Sequence, residues 1–547
     1  MEPTQQQKII LDYNGNSVVI AAPGSGKTFV VSQKIKQNLK SLKDHQGIIA
    51  ISYTNKASNE LKRRSLSNGE NARASFFGTI DKFCISEILI PFGKLMFGIP
   101  KNDLKIIKGA SLQNYEIEDL QWIDRNITIE ELTVSRLKLL KKLFLDGMIL
   151  IETIGIISNY IIKNSIACQK YLHSRYKFIY IDEYQDSGSN QHDIFLKIIG
   201  LGAIGTAVGD LNQSIFAFSG KDSKYLDELS QSQNFKHFRL DKNHRCHPSI
   251  INYSNFLLNS KTELIPNVES RVFKLKTEGD ESSIAKFIDS KIDQFKKIFS
   301  LKNNNQIAIL VRSSRTAKII SNSLITKNRF FVTTELDSNL NIWSTIFSNL
   351  LYYLYNRKIT FIDIIEIFTT YDRFSKGEIV KLRKSKLELE RIISSDKFDK
   401  NLLKLEFIKV AEIISPQLKN EESIDLLSQI LNSTELLDSY KPANLDELTI
   451  MTLHKSKGLE FEVVIHLDLY DWILPKKVLA IPNNFTSAYH ESYVQDLNLH
   501  YVGITRAIKG CILFTSTQRT NSYNEKKNAS DSEFLTLNDI NKLHWTK

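Results

Sequence analysis

The chain has 547 residues, several times the usual length of one domain, so two to four domains are expected. Apolar residues make up 42% and charged residues 24%, which is typical of a globular protein and excludes the disordered and fibrous classes. Lys and Arg number 72 against 61 Asp and Glu, a net charge of +11. This excess favours a polyanionic partner, although a surface rich in Asn and Lys explains it equally well.

The cysteines and the N-terminus indicate the compartment. Cys84, Cys168, Cys246 and Cys511 form no CxxC pair and have no His partner at metal-ligand spacing, so we predict neither a zinc site nor a disulfide. The opening residues MEPTQQQKII lack the basic flank and apolar run of a signal peptide, and no stretch approaches the roughly 18 apolar residues of a membrane helix. We expect a soluble, cytoplasmic protein with no membrane partner.

Short apolar runs alternate with longer helical patterns, which is typical of parallel α/β architecture. Strands are predicted, in chain order, at 17–22, 47–52, 178–183, 203–210, 306–311, 448–454, 462–469 and 511–516. Four strands followed by four others indicate two sheets rather than one. Segments at about 85–165 and about 340–445 have helical periodicity and little strand character. We interpret them as helical insertions, one into each lobe.

A glycine-rich loop follows the first predicted strand. Residues 21–28 read AAPGSGKT and precede a helical pattern, so backbone amides of the loop can wrap a phosphate. Lys27 can then reach the β and γ phosphates, and the Thr28 hydroxyl can ligate Mg²⁺. Ala21 stands where the strict pattern has its first glycine, which leaves a chance match open for the loop considered alone.

A pair of carboxylates follows the third predicted strand, in FIYIDEYQDS. Asp182 at the tip of a strand can hold the magnesium shell, and Glu183 can orient and deprotonate an attacking water. An acidic turn that caps a strand is the alternative, which the flanking Tyr184, Gln185 and Asp186 make less plausible.

Further stretches continue this pattern along the chain. They are Gln7 three residues after Thr4, then SYTNKASNELKRR (52–64), GTIDKFC (78–84), VGDLNQSIFAFSG (208–220), LDKNHR (240–245), TLHKSKGLEF (452–461) and YVGITRA (501–507). With the glycine loop and the carboxylates they resemble, in the same order and over nearly the whole chain, the motifs of the UvrD/Rep branch of superfamily 1 helicases. Any one could be accidental, but the ordered set is specific.

The resemblance implies a fold and its division. It implies an α/β protein with two RecA-like lobes, each a parallel sheet with flanking helices and a short helical insertion. The first lobe would comprise 1–84 and 166–245, with its insertion at 85–165. The second would comprise 246–340 and 446–547, with a reduced insertion at 341–445.

The resemblance also implies roles for residues, with ATP and Mg²⁺ as cofactors. The catalytic residues would be Glu183, Gln213, Arg245 and Arg506. ATP would be bound by Gln7 at adenine, Glu460 at the ribose, and by Ala22, Pro23, Gly24, Ser25, Gly26, Lys27, Thr28, Phe29 and His244. Mg²⁺ would be held by Thr28 and Asp182. DNA would be contacted by Tyr53, Thr54, Asn55, Thr79, Phe216, Phe218, Thr452 and His454.

The implied activity is an ATP-dependent helicase or translocase on single-stranded DNA and duplex junctions. Relatives of opposite polarity usually carry glutamine before the glycine of HKSKGLEF, where Lys457 stands here, so 3′ to 5′ movement is expected. The alternative is a DNA-binding P-loop ATPase that regulates a partner nuclease without processive unwinding. A kinase or GTPase of small substrates is excluded by the second lobe with its own arginine.

Several positions depart from the family. Ser219 and Asn498 replace arginines, which predicts a looser grip on DNA. Phe29 and His244 replace the arginine and tyrosine that sandwich adenine; the aromatics, Phe29 included, could equally belong to the core. The insertions are short, and about 40 residues follow Arg506, so we expect no appended nuclease domain. A compact chain of this kind resembles the helicase subunit of the Gabija anti-phage system, which works with a separate nuclease subunit.

Overall fold

The computed structural model of the chain describes most of its length. The described residues are 2–53, 55–67, 69–102, 104–107, 109, 122, 127–215, 220–339, 341–356, 359–365, 374–395, 399–416, 419–482, 484–521 and 523–546. The strands are, in chain order, β1 (Ser17–Ala21), β2 (Gly47–Ile51), β3 (Phe76–Gly78), β4 (Lys105–Ile107), β5 (Met148–Leu150), β6 (Tyr176–Ile181), β7 (Ile204–Gly209), β8 (Lys236–Leu240), β9 (Val272–Thr277), β10 (Ile307–Val311), β11 (Asn328–Phe330), β12 (Leu448–Thr452), β13 (Phe461–His466), β14 (Lys477–Leu479), β15 (Ala488–His490), β16 (Ala507–Ser516), β17 (Gln518–Thr520), β18 (Lys526–Asn528) and β19 (Trp545–Thr546).

Helices lie between and beside these strands. The α-helices are Gln5–Asp12, Lys27–Leu39, Asn55–Ser65, Ile80–Phe83, Ile90–Phe97, Val134–Leu145, Ile154–Asn164, Ile166–Arg175, Ser189–Gly200, Lys224–Gln231, Pro248–Leu258, Glu281–Ile298, Ser314–Ser323, Glu335–Ser338, Ile342–Asn356, Phe361–Ile365, Lys376–Ser394, Lys400–Ile414, Glu421–Asn432, Thr434–Asp438 and Tyr493–Thr505.

The first sheet is parallel, with the strand order β3-β2-β6-β7-β1-β8. β1 lies between β7 and the edge strand β8, and Val19 pairs with Val208 on one side and Phe238 on the other. Because parallel strands end at the same edge, the loops after β1, β6 and β7 meet there. The sheet therefore brings the glycine loop, the carboxylate pair and the segment of Gln213 together.

The second sheet is also parallel, with the order β11-β12-β10-β13-β16-β9-β19. All five residues of β10 are buried, and they alternate between the two faces of the sheet. Ala308 and Leu310 join one apolar cluster, whereas Ile307 and Ile309 join the other. Burial on both faces is what a near-continuous apolar strand such as IAILV requires.

The predicted fold class is confirmed: these are two RecA-like lobes, parallel sheets with helices on both faces. All eight predicted strands are present, as β1, β2, β6, β7, β10, β12, β13 and β16, with ends shifted by a few residues. Four strands were not predicted in these sheets because they are short or polar: β3 has three residues, β8 reads KHFRL and is mostly exposed, β11 has three residues and β19 two. A fifth strand of these sheets, β9, which alternates apolar and polar residues as VFKLKT, was also missed.

The helical segment between β3 and β6 differs from expectation in one respect. It contains a small parallel sheet of β4 and β5, whose three-residue runs are too short to show a period in the sequence. Its apolar residues, such as Phe144 and Ile161, share one cluster with Ile49 and Ile179 of the main sheet. This segment is thus built onto the core of the first lobe.

The helical segment between β11 and β12 has a core of its own. Trp343, Phe347, Phe407 and Leu427 are fully buried in a cluster that includes no residue of the second sheet. At the C-terminal end of the segment, the Asp438 carbonyl (3.0 Å) and Glu447 (2.8 Å) accept hydrogen bonds from the buried Arg329 of β11. The segment is therefore tied to the sheet by polar contacts at its end rather than by a shared core.

Candidate nucleotide and DNA site

The glycine loop adopts a conformation that larger residues cannot follow. Gly24 and Gly26 have φ of +67° and +86°, a region that favours glycine. A Cβ on Gly24 would lie 2.5 Å from Asn243 Oδ1, and one on Gly26 would lie 2.7 Å from Gln7 Nε2. The helix Lys27–Leu39 starts directly after this loop, so its unsatisfied first-turn amides face a cradle that suits a phosphate.

Gln7 supports the loop from the N-terminal helix Gln5–Asp12. Its side chain is 5% exposed, donates from Nε2 to the Ser25 carbonyl (3.1 Å), and accepts at Oε1 from the Thr4 amide (2.9 Å). Lys34 of the loop's own helix donates to the Ile10 carbonyl (2.9 Å), near the end of the same N-terminal helix. The adenine contact of Gln7 remains a prediction, whereas its contact with the loop is visible.

Lys27 faces the carboxylates at the end of β6. Its Nζ lies 3.7 Å from Glu183 Oε1, and its side chain is 10% exposed. Burial alone would lower the pKa of Lys27, but Glu183, Asp210 and Asp182 outweigh burial, and the pKa is raised. The lysine is therefore a fixed positive charge at the mouth of the phosphate loop.

Thr28 and Asp182 form a pair of oxygen ligands. Thr28 Oγ1 donates to Asp182 Oδ2 (3.0 Å), and the Asp182 amide donates to the Ile51 carbonyl (2.9 Å). A hydroxyl and a carboxylate are the hard oxygen donors that Mg²⁺ takes from proteins alongside phosphate oxygens. This donor set fits the predicted metal.

Glu183 is held in an unusual backbone conformation, with φ +58° and ψ +42°, which is uncommon for a residue other than glycine. Its carboxylate accepts a hydrogen bond from Gln185 Nε2. Burial would raise the pKa of Glu183, but Lys27 and Lys457 outweigh it and lower the pKa. Burial and the charge of Glu183 instead raise the pKa of Asp182 to about 6. The pKa of Asp182 is thus raised while that of the adjacent Glu183 is lowered. Sites in which two acids have different roles show the same separation of pKa values.

Asp182 should make the stability of the metal-free protein depend on pH. Its pKa is about 6 in the fold against an ordinary 3.8, so folding takes up a proton between about pH 4 and pH 6, and stability falls as pH rises through that window. We expect Asp182→Asn, which cannot ionise, to raise the melting temperature at neutral pH by about 2–5 °C in a chelating buffer. Added Mg²⁺ should stabilise the unmodified protein more than the variant.

Differential scanning fluorimetry over this pH range provides the measurement, with Asp280→Asn as the matched control. Burial would raise the pKa of Asp280, but Lys526 and Ser282 outweigh it and lower the pKa, so this variant should lose stability at neutral pH. An Asp182→Asn protein that melts at or below the temperature of the unmodified protein would contradict the assignment.

Gln213 connects the two lobes at this edge. Its Nε2 donates to Asp210 Oδ2 (2.8 Å), and its Oε1 accepts from Arg506 Nη2 (3.4 Å). Arg506 follows the helix Tyr493–Thr505 and is 3% exposed. Burial and the neighbouring Arg245 lower the pKa of Arg506 to about 10, so it is still charged at neutral pH.

Arg245 approaches the same place from the end of the first lobe. Its Nη1 donates to Glu460 Oε1 (2.6 Å) and its Nη2 to the Thr505 carbonyl (2.8 Å). Asn243 Oδ1 accepts from the Arg245 amide (2.8 Å), which fixes the backbone there. The structure thus brings Arg245 to Glu460, the residue predicted for the ribose, and places both predicted arginines together.

A second bridge between the lobes was not predicted. Lys457 Nζ donates to both oxygens of Asp186 (2.9 and 2.7 Å) and to the Gln213 carbonyl (2.7 Å). Asn498, which stands where the family has an arginine, is buried and donates to the Ser214 carbonyl (3.1 Å). Asp186 and Lys457 lie 271 residues apart, so only their places in two motifs could have suggested the pairing.

The predicted DNA residues of the first lobe lie beside the carboxylates. Tyr53 follows β2, and Thr79 caps the helix Ile80–Phe83 by accepting from the Lys82 amide (3.4 Å). Both line a pocket of about 310 Å³ together with Asp186 and Lys221. Thr54, Phe216 and Phe218 lie outside the described residues, and Asn55 is described only as the first residue of its helix.

The predicted DNA residues of the second lobe follow β12. Thr452 ends the strand and accepts from the Lys455 amide (3.4 Å). Burial, Arg312 and Lys457 lower the pKa of His454 to about 4. At neutral pH, His454 can therefore offer a phosphate a neutral N–H donor rather than a charge.

Phe29 and His244 are placed differently from each other. Phe29 is partly buried against the apolar cluster of Ile10 and Val30, as the core alternative would have it. His244 is exposed, and its amide donates to the Gly24 carbonyl (3.0 Å). A stacking role for the two rings remains a prediction.

All four cysteines lie in the described part of the chain. They are buried and free. Within that part of the chain, no cluster of three or more His, Cys, Asp or Glu side chains could hold a metal ion. Likewise, no described helix combines the length and the apolar character needed to cross a membrane.

Comparison with known proteins covers nearly the whole chain. Residues 1–152 and 128–234 match the family described as UvrD/REP helicase N-terminal domain, and residues 238–355 and 356–518 match the UvrD-like helicase C-terminal domain. The Gabija protein GajB of Bacillus cereus is 28% identical over 527 residues, 95% of this chain and 97% of that protein. ATP-dependent DNA helicase Rep of Buchnera aphidicola subsp. Schizaphis graminum is 22% identical over 658 residues, covering 99% and 97%. ATP-dependent DNA helicase PcrA of Staphylococcus epidermidis is 22% identical over 636 residues, covering 94% and 83%.

Proposed function

Since the chain belongs to the UvrD/Rep family of helicases, and is thereby an ATP-hydrolysing DNA helicase, we propose that it moves 3′ to 5′ on single-stranded DNA. The direction rests on Lys457, which stands where relatives of opposite polarity carry glutamine. The coupling of hydrolysis to movement rests on the junction of Arg506 from one lobe with Gln213 from the other, beside Lys27 and Glu183. Hydrolysis and lobe closure would then be coupled, because the arginine completes the site only when the lobes meet.

The chain's own residues divide the work of hydrolysis. The loop amides and Lys27 would bind the β and γ phosphates, while Thr28 and Asp182 would hold Mg²⁺, which would neutralise phosphate charge. Glu183 takes the proton of the attacking water. Arg245 and Arg506 stabilise the charge that spreads over the transferred phosphoryl group. Gln7 would select adenine, with Phe29 and His244 against its faces and Glu460 at the ribose.

DNA would lie across both lobes on the side of the Gln213 segment. Tyr53 would stack on bases, a sequence-tolerant contact, with Thr79 beside it in the first lobe. Thr452 and His454 would hold the backbone in the second lobe. When the lobes close and open about the bound nucleotide, alternating grip on the two sides becomes a step along the strand.

Displacement of streptavidin from end-labelled oligonucleotides tests the direction. We expect ATP to speed displacement from a 5′-biotinylated strand and to leave a 3′-biotinylated strand near its spontaneous rate, because a 3′ to 5′ motor pushes toward the 5′ end. Glu183→Gln, which should bind but not hydrolyse ATP, is the matched control. Faster displacement from the 3′ end would reverse the polarity, and displacement from neither end would favour a DNA-binding ATPase that regulates a partner.

A nuclease partner is the second element of the proposal. It is supported by the similarity to a Gabija protein along 95% of this chain and by the short helical segments predicted from the sequence. Affinity purification of the tagged chain from its native host, with DNase treatment to remove bridging DNA, should recover a nuclease in near-stoichiometric amount. Recovery of the chain alone would remove this element and leave the helicase proposal standing.

A further inference from the structure

Lys221 contacts the hydroxyl end of the Tyr53 ring, and Tyr53 is predicted to stack on DNA bases. Its Nζ lies 3.7 Å from the centroid of the Tyr53 ring and also donates to the Tyr53 hydroxyl. A cation at this distance interacts with the π face of the ring. A base stacked on that face would need the same space.

The surroundings hold the ammonium in place while leaving it room to move. Lys221 and Tyr53 line the pocket of about 310 Å³, as do Asp81 and Asp186. Both carboxylates attract Lys221, so an ammonium that leaves the ring still finds a negative partner inside the pocket. The volume lies in the range of pockets that receive small ligands.

We propose that Lys221 is an internal gate of the base pocket: its ammonium lies against the hydroxyl end of the Tyr53 ring in the DNA-free protein, and a DNA base that stacks on the ring displaces it toward Asp81 and Asp186. The proposal rests on the proposed function because it takes Tyr53 as a base-stacking residue. On this proposal Lys221 competes with the base for Tyr53. The affinity of the pocket for a base then depends on how much more strongly Tyr53 binds the base than the ammonium.

Asp186 gives the gate a route to the nucleotide site. Its carboxylate already accepts from Lys457, which also donates to the Gln213 carbonyl. An ammonium arriving at Asp186 competes with Lys457 for the same oxygens. Binding of a base would thereby weaken the contact of Lys457 with Asp186, which bridges the two lobes.

Lys221→Ala tests the gate, with Lys224→Ala as the matched control. Lys224 lies three residues further on, pairs with Asp222 (3.9 Å) and is 55% exposed, so its loss removes the same charge without uncovering Tyr53. We expect Lys221→Ala to bind fluorescent oligo(dT) about three- to tenfold more tightly than the control variant, by anisotropy without nucleotide. A backbone-matched abasic oligonucleotide should show no such gain, and Lys221→Arg should behave like the unmodified protein.

The other outcomes are distinct. Weaker binding of both oligonucleotides by Lys221→Ala would make Lys221 a phosphate contact and overturn the gate. Equal affinities for the two alanine variants on oligo(dT), with melting temperatures unchanged, would also overturn it. Failure of the unmodified protein to bind either oligonucleotide would instead remove the proposed function, and the gate with it.

Discussion

Glu183→Gln is expected to lower ATP turnover by about 10²- to 10⁴-fold while leaving ATP binding nearly intact. The pKa of Glu183 is held below its usual range despite burial, because Lys27 and Lys457 favour its ionised form. An ionised carboxylate in this position can accept the proton of the attacking water, whereas the amide keeps the shape but cannot accept it. The hydrogen bond from Gln185 Nε2 can still be made to the amide oxygen.

Turnover is measured by phosphate release with saturating single-stranded DNA, and binding by a fluorescent ATP analogue. Glu228→Gln, a half-exposed glutamate of the same lobe, is the control and should retain full turnover. Turnover of Glu183→Gln within a few-fold of the unmodified protein would show that another group accepts the proton.

Arg506→Ala should slow hydrolysis by about 10³-fold or more, with little change in nucleotide affinity. Arg506 reaches Gln213 Oε1 from the second lobe, so on the proposed mechanism it would act on the transferring phosphate mainly when the lobes are closed. Its other donors are already used by the carbonyls of Val502 and Leu459. The fork geometry is therefore part of the site, and Arg506→Lys should remain strongly impaired.

Because Arg506 is buried, folding must be measured beside activity. Single-turnover hydrolysis and thermal melting of Arg506→Ala and Arg506→Lys are compared with Arg271→Ala, which removes an arginine from the same lobe that pairs with Glu269 (2.8 Å). A normal hydrolysis rate in a folded Arg506→Ala protein would mean that the second lobe contributes no catalytic charge. If Arg506→Ala melts without cooperativity and Arg506→Lys melts normally, the hydrolysis rate of Arg506→Lys decides whether Arg506 is catalytic.

The sequence was sufficient for eight strands of the two sheets and for the residues that the first sheet gathers at one edge. Runs such as IAILV in β10 are long, apolar and buried on both faces, so their pattern carries a strong signal. β8 could not be found in this way because KHFRL is mostly exposed. The β4 and β5 pair was missed for a different reason, since three residues show no period.

Within the site, motifs predicted residues one at a time but not their pairings. The contact of Lys457 with Asp186 depends on how two lobes meet, and no local pattern encodes a partner 271 residues away. Lys221 was missed because it has no place in a motif and acts through proximity to Tyr53. Asn498 was read as a loss of charge, whereas its surroundings make it a buried donor between the lobes.

The separate core around Trp343 has a consequence for how such a chain can change over generations. The segment is the crossover between β11 and β12, parallel neighbours whose register is set by pairs such as Asn328 with Leu448. Insertions or deletions inside a crossover cost little as long as the strands still meet. The cluster of Trp343 shares no residue with the sheet. During evolution the segment can therefore be lengthened, shortened or replaced without repacking the lobe that carries Arg506. New partners or DNA structures can therefore be acquired at this segment while the motor stays the same.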